Sequence, residues 1–223
     1  MQRGRIAADE DVKASAMRST LVKLAAAISG GLLVLSGCAG VSDPNLAAEV
    51  NGQVLTEARV TELSQAISDV YLASWKAQQE ASQPAASRTP EQQAAYETSL
   101  AKQQVDLAPG KYRVAVVTVS IEAQFAHETA KALNMTVTDD QRKQVLSSDS
   151  GITALSENPI TRDLINGLAD AQVVFSDSKA LAAGKQAALK ADVLLNPRYG
   201  TWDPTQLAPA GSGSLSTSTS TAK

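Results

Sequence analysis

Near the end of the chain stands Asn196-Pro197-Arg198-Tyr199-Gly200-Thr201-Trp202-Asp203 (NPRYGTWD), which packs a tryptophan, an arginine, an aspartate and a turn-capable glycine into one short run. Such a run reads either as a binding loop or as a piece of architecture. The residues leading into it favour architecture. Asp192-Val193-Leu194-Leu195 is a short extended segment, and an extended segment needs an edge to pair with. Such an edge lies at the other end of the chain. Ala48-Glu49-Val50-Asn51-Gly52-Gln53-Val54-Leu55 places Asn51-Gly52 between two short apolar segments. Asn-Gly there is a strong hairpin signal, because a type I′ turn needs positive φ at both central residues. Two strands alone are marginal in water. A third strand from Val193-Leu194-Leu195 would cover the hairpin and close the chain on itself. Pro197 would then stand at the strand's end, where no ladder donor is required.

Between these ends the sequence is helical. Thr56 is an N-cap, and Val60, Leu63, Ile67, Val70, Tyr71 and Trp75 follow at three- and four-residue spacing, the stripe of an amphipathic helix. Tyr71 and Trp75 are read as core residues. Residues 81–89 form a linker, and Thr89-Pro90 opens a second helix that stops at Ala108-Pro109-Gly110. Its apolar face is thin, with Ala94, Tyr96, Leu100 and Leu107 spread among glutamines. Lys111 to Asn134 is β-branched in its first half, yet Val114, Val117, Ile121 and Phe125 share one helical face, and the stretch is read as one long helix. His127, the single histidine, is a helix-surface residue there, with no second histidine to join in a metal site. A short helix runs from Asp139 to Ser147, and 148–156 is read as polar connection. Asn158-Pro159 opens a helix with Leu164, Leu168, Ala171 and Phe175 on one side. Asp177-Ser178 caps a last one, Lys179 to Lys190. The fold class is therefore mainly α, with a small antiparallel sheet made by an N-terminal hairpin and a C-terminal strand.

The N-terminus speaks to location. Leu21 to Leu35 (LVKLAAAISGGLLVL) is a short apolar run behind Arg18 and Lys23, followed at once by Ser36-Gly37-Cys38. It is shorter than the ~20 apolar residues of a spanning helix and has the form of a secretory signal. Leu35-Ser36-Gly37-Cys38 resembles the bacterial lipobox, which implies cleavage between Gly37 and Cys38 and a lipid (diacylglyceryl and palmitate chains) on Cys38. A start at Met17 gives a better signal than one at Met1, since Asp9, Glu10 and Asp11 add acid where basic residues belong. Cys38 is the one cysteine, so no internal disulfide forms. Removing residues 1–37 leaves 223 − 37 = 186 residues with 15 basic and 20 acidic side chains, a net charge near −5. That balance argues against a nucleic-acid partner. The expected organisation is a signal at 1–37, a tether at 38–46, one helical domain at 47–206 and a disordered Gly/Ser/Thr-rich tail at 207–223.

Three motifs in this order resemble those of the SurA/PrsA-type chaperones of the bacterial periplasm and cell surface. AEVNGQVLTEARVTEL (48–63) looks like that family's opening V-N-G-x-x-I/L-T strand and turn. ALNMTVTDDQ (132–141) is similar to its V-T-D junction between helices, and ADVLLNPRYGTWDP (191–204) to its closing V-x-V-N-P-R-Y/F-G-x-W/F-D segment. The resemblance implies a SurA N-terminal-like domain closed by a C-terminal strand. Full-length members also carry parvulin prolyl-isomerase modules with paired histidines, which this chain lacks. The expectation is thus a lipid-anchored, extracytoplasmic chaperone-like protein on the cell membrane, with no enzymatic activity, cofactor or metal. Its partners would be unfolded or extended segments of secreted client proteins, held in a groove walled by helices 90–107 and 111–134. An envelope adaptor for one defined partner is the alternative. Asn196, Pro197, Arg198, Tyr199, Gly200, Trp202 and Asp203, with Asn51 and Gly52, form the clasp. Tyr199 and Trp202 are expected to cover the hairpin and first helix, and Arg198 to pair with Asp203. Cutting the chain before Val193 is expected to unfold the domain.

Overall fold

A computed structural model describes residues 43–211. The Asn51-Gly52 turn forms as its chemistry dictates, with φ of 49° and 84°. It joins β1 (Leu46–Val50) to β2 (Gln53–Thr56). The Thr56 hydroxyl then accepts from the Arg59 amide and starts α1 (Glu57–Ser82). Thr89 caps α2 (Pro90–Asp106) in a reciprocal capping box with Gln92. The ambiguous β-branched stretch is helical throughout, as α3 (Arg113–Ala132). A second capping box, Thr138 with Gln141, opens α4 (Asp139–Leu146).

Residues 148–156 are not a loop. The Asp149 carboxylate accepts from the Gly151 and Ile152 amides and starts α5 (Ser150–Glu157), which buries Ile152 and Leu155. Asn158 does not begin the next helix; its side chain accepts from the amides of Ile160 and Thr161, a turn that leads into α6 (Arg162–Ser176). Asp177 caps α7 (Ser178–Ala188). The chain returns as β3 (Val193–Leu195), which pairs antiparallel with β1, giving the order β2-β1-β3. The fold is mainly helical with a small antiparallel sheet built from both ends of the chain.

Both boundaries of the helical domain move outward. Leu46 is a buried strand residue, not the end of a tether. At the other end, Leu207 is buried and Ala208–Ala210 forms β5, which pairs with β4 (Thr201–Asp203). The disordered tail expected from residue 207 therefore fails over 207–211. Pro209 is tolerated because β5 pairs on one side only.

α3 is the axis of the core. Val116, Val117, Ile121 and Phe125 on it are all buried, and they meet Ala48 and Val50 of β1, Val60, Leu63 and Ile67 of α1, Ile152 and Leu155 of α5 and Ile165 of α6. Val114, assigned to the same face by spacing, is exposed. A second cluster joins Ala126 to Ala171, Val174 and Ala180. With few aromatic residues the helices pack through small side chains, and a Cβ on Gly167 would stand 2.8 Å from that of Ala123.

Candidate functional site

The clasp is a polar knot at the N-terminus of α1. Asn196, buried directly after β3, donates from Nδ2 to the Leu46 carbonyl at 2.9 Å, and its amide donates to the Ala47 carbonyl at 3.0 Å. Its side-chain oxygen accepts from the Arg198 amide and starts a single 3₁₀ turn, Pro197–Tyr199. That turn drives Tyr199 inward until it is 1% exposed. Its hydroxyl donates to Glu57 Oε2 at 2.8 Å and accepts from Arg113 Nη2 at 3.0 Å. Arg113 and Glu57 also form a direct ion pair, and Arg198 Nη1 stands 3.5 Å from the other Glu57 oxygen. Burial raises the Tyr199 phenol to about 12, and its bond to Glu57 adds to the rise, against the opposing pull of Arg113. One carboxylate thus fastens the chain's return, α1 and α3 at a helix N-terminus, where negative charge is favoured.

Two expectations about this stretch are corrected. Arg198 does not pair with Asp203: it turns to Glu57, while Asp203 accepts from the Thr205 amide and hydroxyl at 2.8 and 2.7 Å. Trp202 stacks on Phe125 of α3 and not on a ring of the first helix, with centroids 5.5 Å apart and planes 13° from parallel. Gly200 between them has φ 109°, and a Cβ there would stand 2.5 Å from the Ala210 carbonyl oxygen. Asn51 is more than a turn residue. Its Nδ2 donates to Glu128 Oε2 at 2.9 Å and its side-chain oxygen accepts from the Asp192 amide at 3.2 Å. Cys38 and the Gly37–Cys38 cleavage position lie outside the described residues.

The second feature is an arm. α1 is 26 residues long, about 39 Å at 1.5 Å per residue. Its buried positions end at Ser68, and α2 has none. Val70 and Tyr71 still pack against the core, and beyond them α1 and all of α2 stand off it as a helical pair. At the base the Ser68 hydroxyl donates to the Leu107 carbonyl at 2.6 Å, and Tyr71 stacks on Tyr112. Farther out, Trp75 stacks on Tyr96 with centroids 5.7 Å apart. The Arg88 guanidinium covers the Tyr96 ring, with its central carbon 4.1 Å from the centroid, while bonding Glu80 at 2.8 Å. Trp75 is thus an arm residue and not a core residue.

The expected groove wall is also revised. The helix at 90–107 does stand free, but α3 is the core's own axis and leaves little of itself open. Part of what it leaves open faces the hairpin. Ser120, Ile121 and Gln124 form one wall of a cavity of about 170 Å³ whose other wall is Ala48, Val50, Gln53, Val54 and Leu55. β2 is an edge strand, and Val54 is 58% exposed. Next to Ile121 in the chain, Glu122 is pushed up to about 7 by burial alone, with no hydrogen-bond or ion-pair partner among the described residues. His127 is exposed on α3. No helix among the described residues is long and apolar enough to cross a membrane.

Sequence reasoning missed the Glu57–Arg113–Tyr199 knot and the open β2 edge. The first carried a faint signal, an acid directly after the N-cap. The second could not be read without knowing on which side of β1 the returning strand would lie. Comparison with protein-family models, with curated proteins and with solved structures returned no match.

Proposed function

We propose that this chain is a lipid-anchored, extracytoplasmic chaperone-like protein that binds unfolded or extended segments of secreted proteins and performs no chemistry on them. The observation that carries the reading is the arm. A helical pair with no buried residue in α2 costs conformational entropy and returns little core burial, which is the expected form of a surface kept for contact with another chain. Its outer face is rich in glutamine and small side chains, suited to adaptable contacts more than to one fixed ligand. The three sequence motifs and the Gly37-Cys38 junction support the location and the class.

The adaptor reading draws on a different observation: the Trp75–Tyr96–Arg88 stack fixes the arm's shape, as a surface for one defined partner would require. Light scattering of several aggregating clients separates the two. Suppression of aggregation across unrelated clients is expected of the chaperone. No suppression of any, together with one dominant cross-linked partner in cells, would replace it with the adaptor. Location is tested separately by detergent phase partitioning, where Cys38→Ser is expected to move the protein from the detergent to the aqueous phase.

A further inference from the structure

We infer that the open edge of β2 takes an extended, apolar client segment with a flanking basic residue as a fourth strand of the sheet. The inference rests on the client-binding reading above and assigns it a site. The backbone register supplies the first argument. The Ala47 carbonyl and the Asn51 amide both bond toward the β3 side, to Asn196 and Asp192. Glu49, midway between them, therefore directs its own amide and carbonyl to β3, because bonding direction alternates along a strand. Val54 lies opposite Glu49 in the β1–β2 register, so its amide and carbonyl point away from β1. Among the described residues no strand covers that side. An outward donor and acceptor on a strand edge are matched by an extended backbone, the recognition mode of strand addition.

Chemistry of the walls supplies the second argument. No charged side chain lines the adjoining cavity: its floor is Ala48, Val50 and Ile121, and its polar groups are the amides and hydroxyl of Gln53, Gln124 and Ser120. Alternate residues of an added strand would direct apolar side chains there. At the turn end the rim is acidic. Glu128 holds Asn51 and Gln124 and joins no ion pair among the described residues. A lysine or arginine beside the apolar residues would meet this uncompensated negative charge.

Val54→Pro tests the site without touching the ladder, since the amide it removes is not bonded to β1, and proline is tolerated on an edge strand. The chain 38–223 bearing Cys38→Ser is titrated with a fluorescent Lys-Thr-Val-Thr-Val-Lys peptide, with its Glu-flanked counterpart, and with a copy N-methylated at its third and fourth residues, so that one methyl meets β2 whichever way the strand runs. Tight binding of the Lys-flanked peptide is expected, weakened about tenfold or more by Val54→Pro at an unchanged melting temperature. The same loss is expected for the N-methylated peptide on the unmodified edge, which keeps the test valid if the proline variant does not fold. A Glu-flanked peptide that binds as well as the Lys-flanked one, or an N-methylated peptide that binds undiminished, overturns the assignment. Aggregation suppression that survives Val54→Pro overturns the site and leaves the chaperone reading standing. Absence of both peptide binding and suppression overturns both.

Discussion

Tyr199→Phe is the sharpest probe of the clasp, because it removes one oxygen and leaves the ring. That oxygen donates to Glu57 at 2.8 Å and accepts from Arg113 at 3.0 Å, inside a residue that is 1% exposed. Hydrogen bonds to charged groups contribute about 1.5–3 kcal/mol each. Glu57 and Arg113 keep their direct pair in the variant, so the loss should approach one such bond and not two, about 1.5–3 kcal/mol. For a domain of this size each kcal/mol moves the melting temperature by about 2–4 °C, so the variant should melt roughly 3–12 °C lower at pH 7. The pH dependence adds a signature that packing damage would lack. With the folded phenol raised to about 12 from its usual ~10, the native state holds a proton that the unfolded chain has already released between those values. Stability from this group is complete below pH ~10 and is lost as the pH rises through about 12. The gap between wild type and Phe variant should therefore be constant from pH 7 to 9.5 and shrink above pH 10. Tyr71, whose phenol burial also raises, is present in both proteins and cancels from the difference. Circular-dichroism melts of both proteins from pH 7 to 11 measure this. Equal melting temperatures at pH 7, or a gap that stays constant to pH 11, would refute the bridging role of the hydroxyl.

Further expectations concern other parts of the molecule. Glu122→Gln should raise the melting temperature at pH 8 and leave it unchanged at pH 4: the folded carboxyl, raised to about 7, holds its proton where the unfolded chain has lost it, so wild-type stability falls as pH rises from ~4.5 through ~7. Gly200→Ala should destabilise far more than Gly52→Ala, since both have positive φ but only at Gly200 does a Cβ strike backbone, 2.5 Å from the Ala210 oxygen; paired urea titrations decide it. Leu207→Ala should cost about 2–5 kcal/mol in the same assay, whereas a residue of a disordered tail would cost nothing. Arg88→Ala should leave the global melt nearly unchanged and speed limited proteolysis at 83–89, because it frees Tyr96 and Glu80 at the arm without touching the core.

The parts of this fold legible in sequence are those where one local cause suffices. Asn51-Gly52 permits few backbone conformations, and Thr56, Thr89, Thr138 and Asp177 each cap a helix with a partner three residues away or nearer. What stayed hidden depended on tertiary partners. Ser150–Glu157 carries only Ile152 and Leu155 as large apolar residues, so its composition reads as linker until α1, α3 and α6 are there to bury them. Leu207 to Ala210 runs into the Gly/Ser/Thr tail without a break in composition, and only β4 makes it a strand. In the clasp, the residues that matter were identified but their partners were not: opposite charge suggested Arg198 with Asp203, whereas Asp203 bonds within its own turn and Arg198 reaches a carboxylate far away in sequence.

That distance has a consequence for how the protein comes into being. The returning strand ties Leu46 to Asn196, a separation of 150 residues, so no three-stranded sheet exists until Val193–Leu195 has emerged. At synthesis rates of about 5–20 residues per second, the hairpin waits roughly 8–30 s for its closing strand. During that interval β1 has one side of its ladder unpaired and Glu57 lacks its bond from Tyr199. A protein whose first and last strands must meet is slow to commit to its own fold.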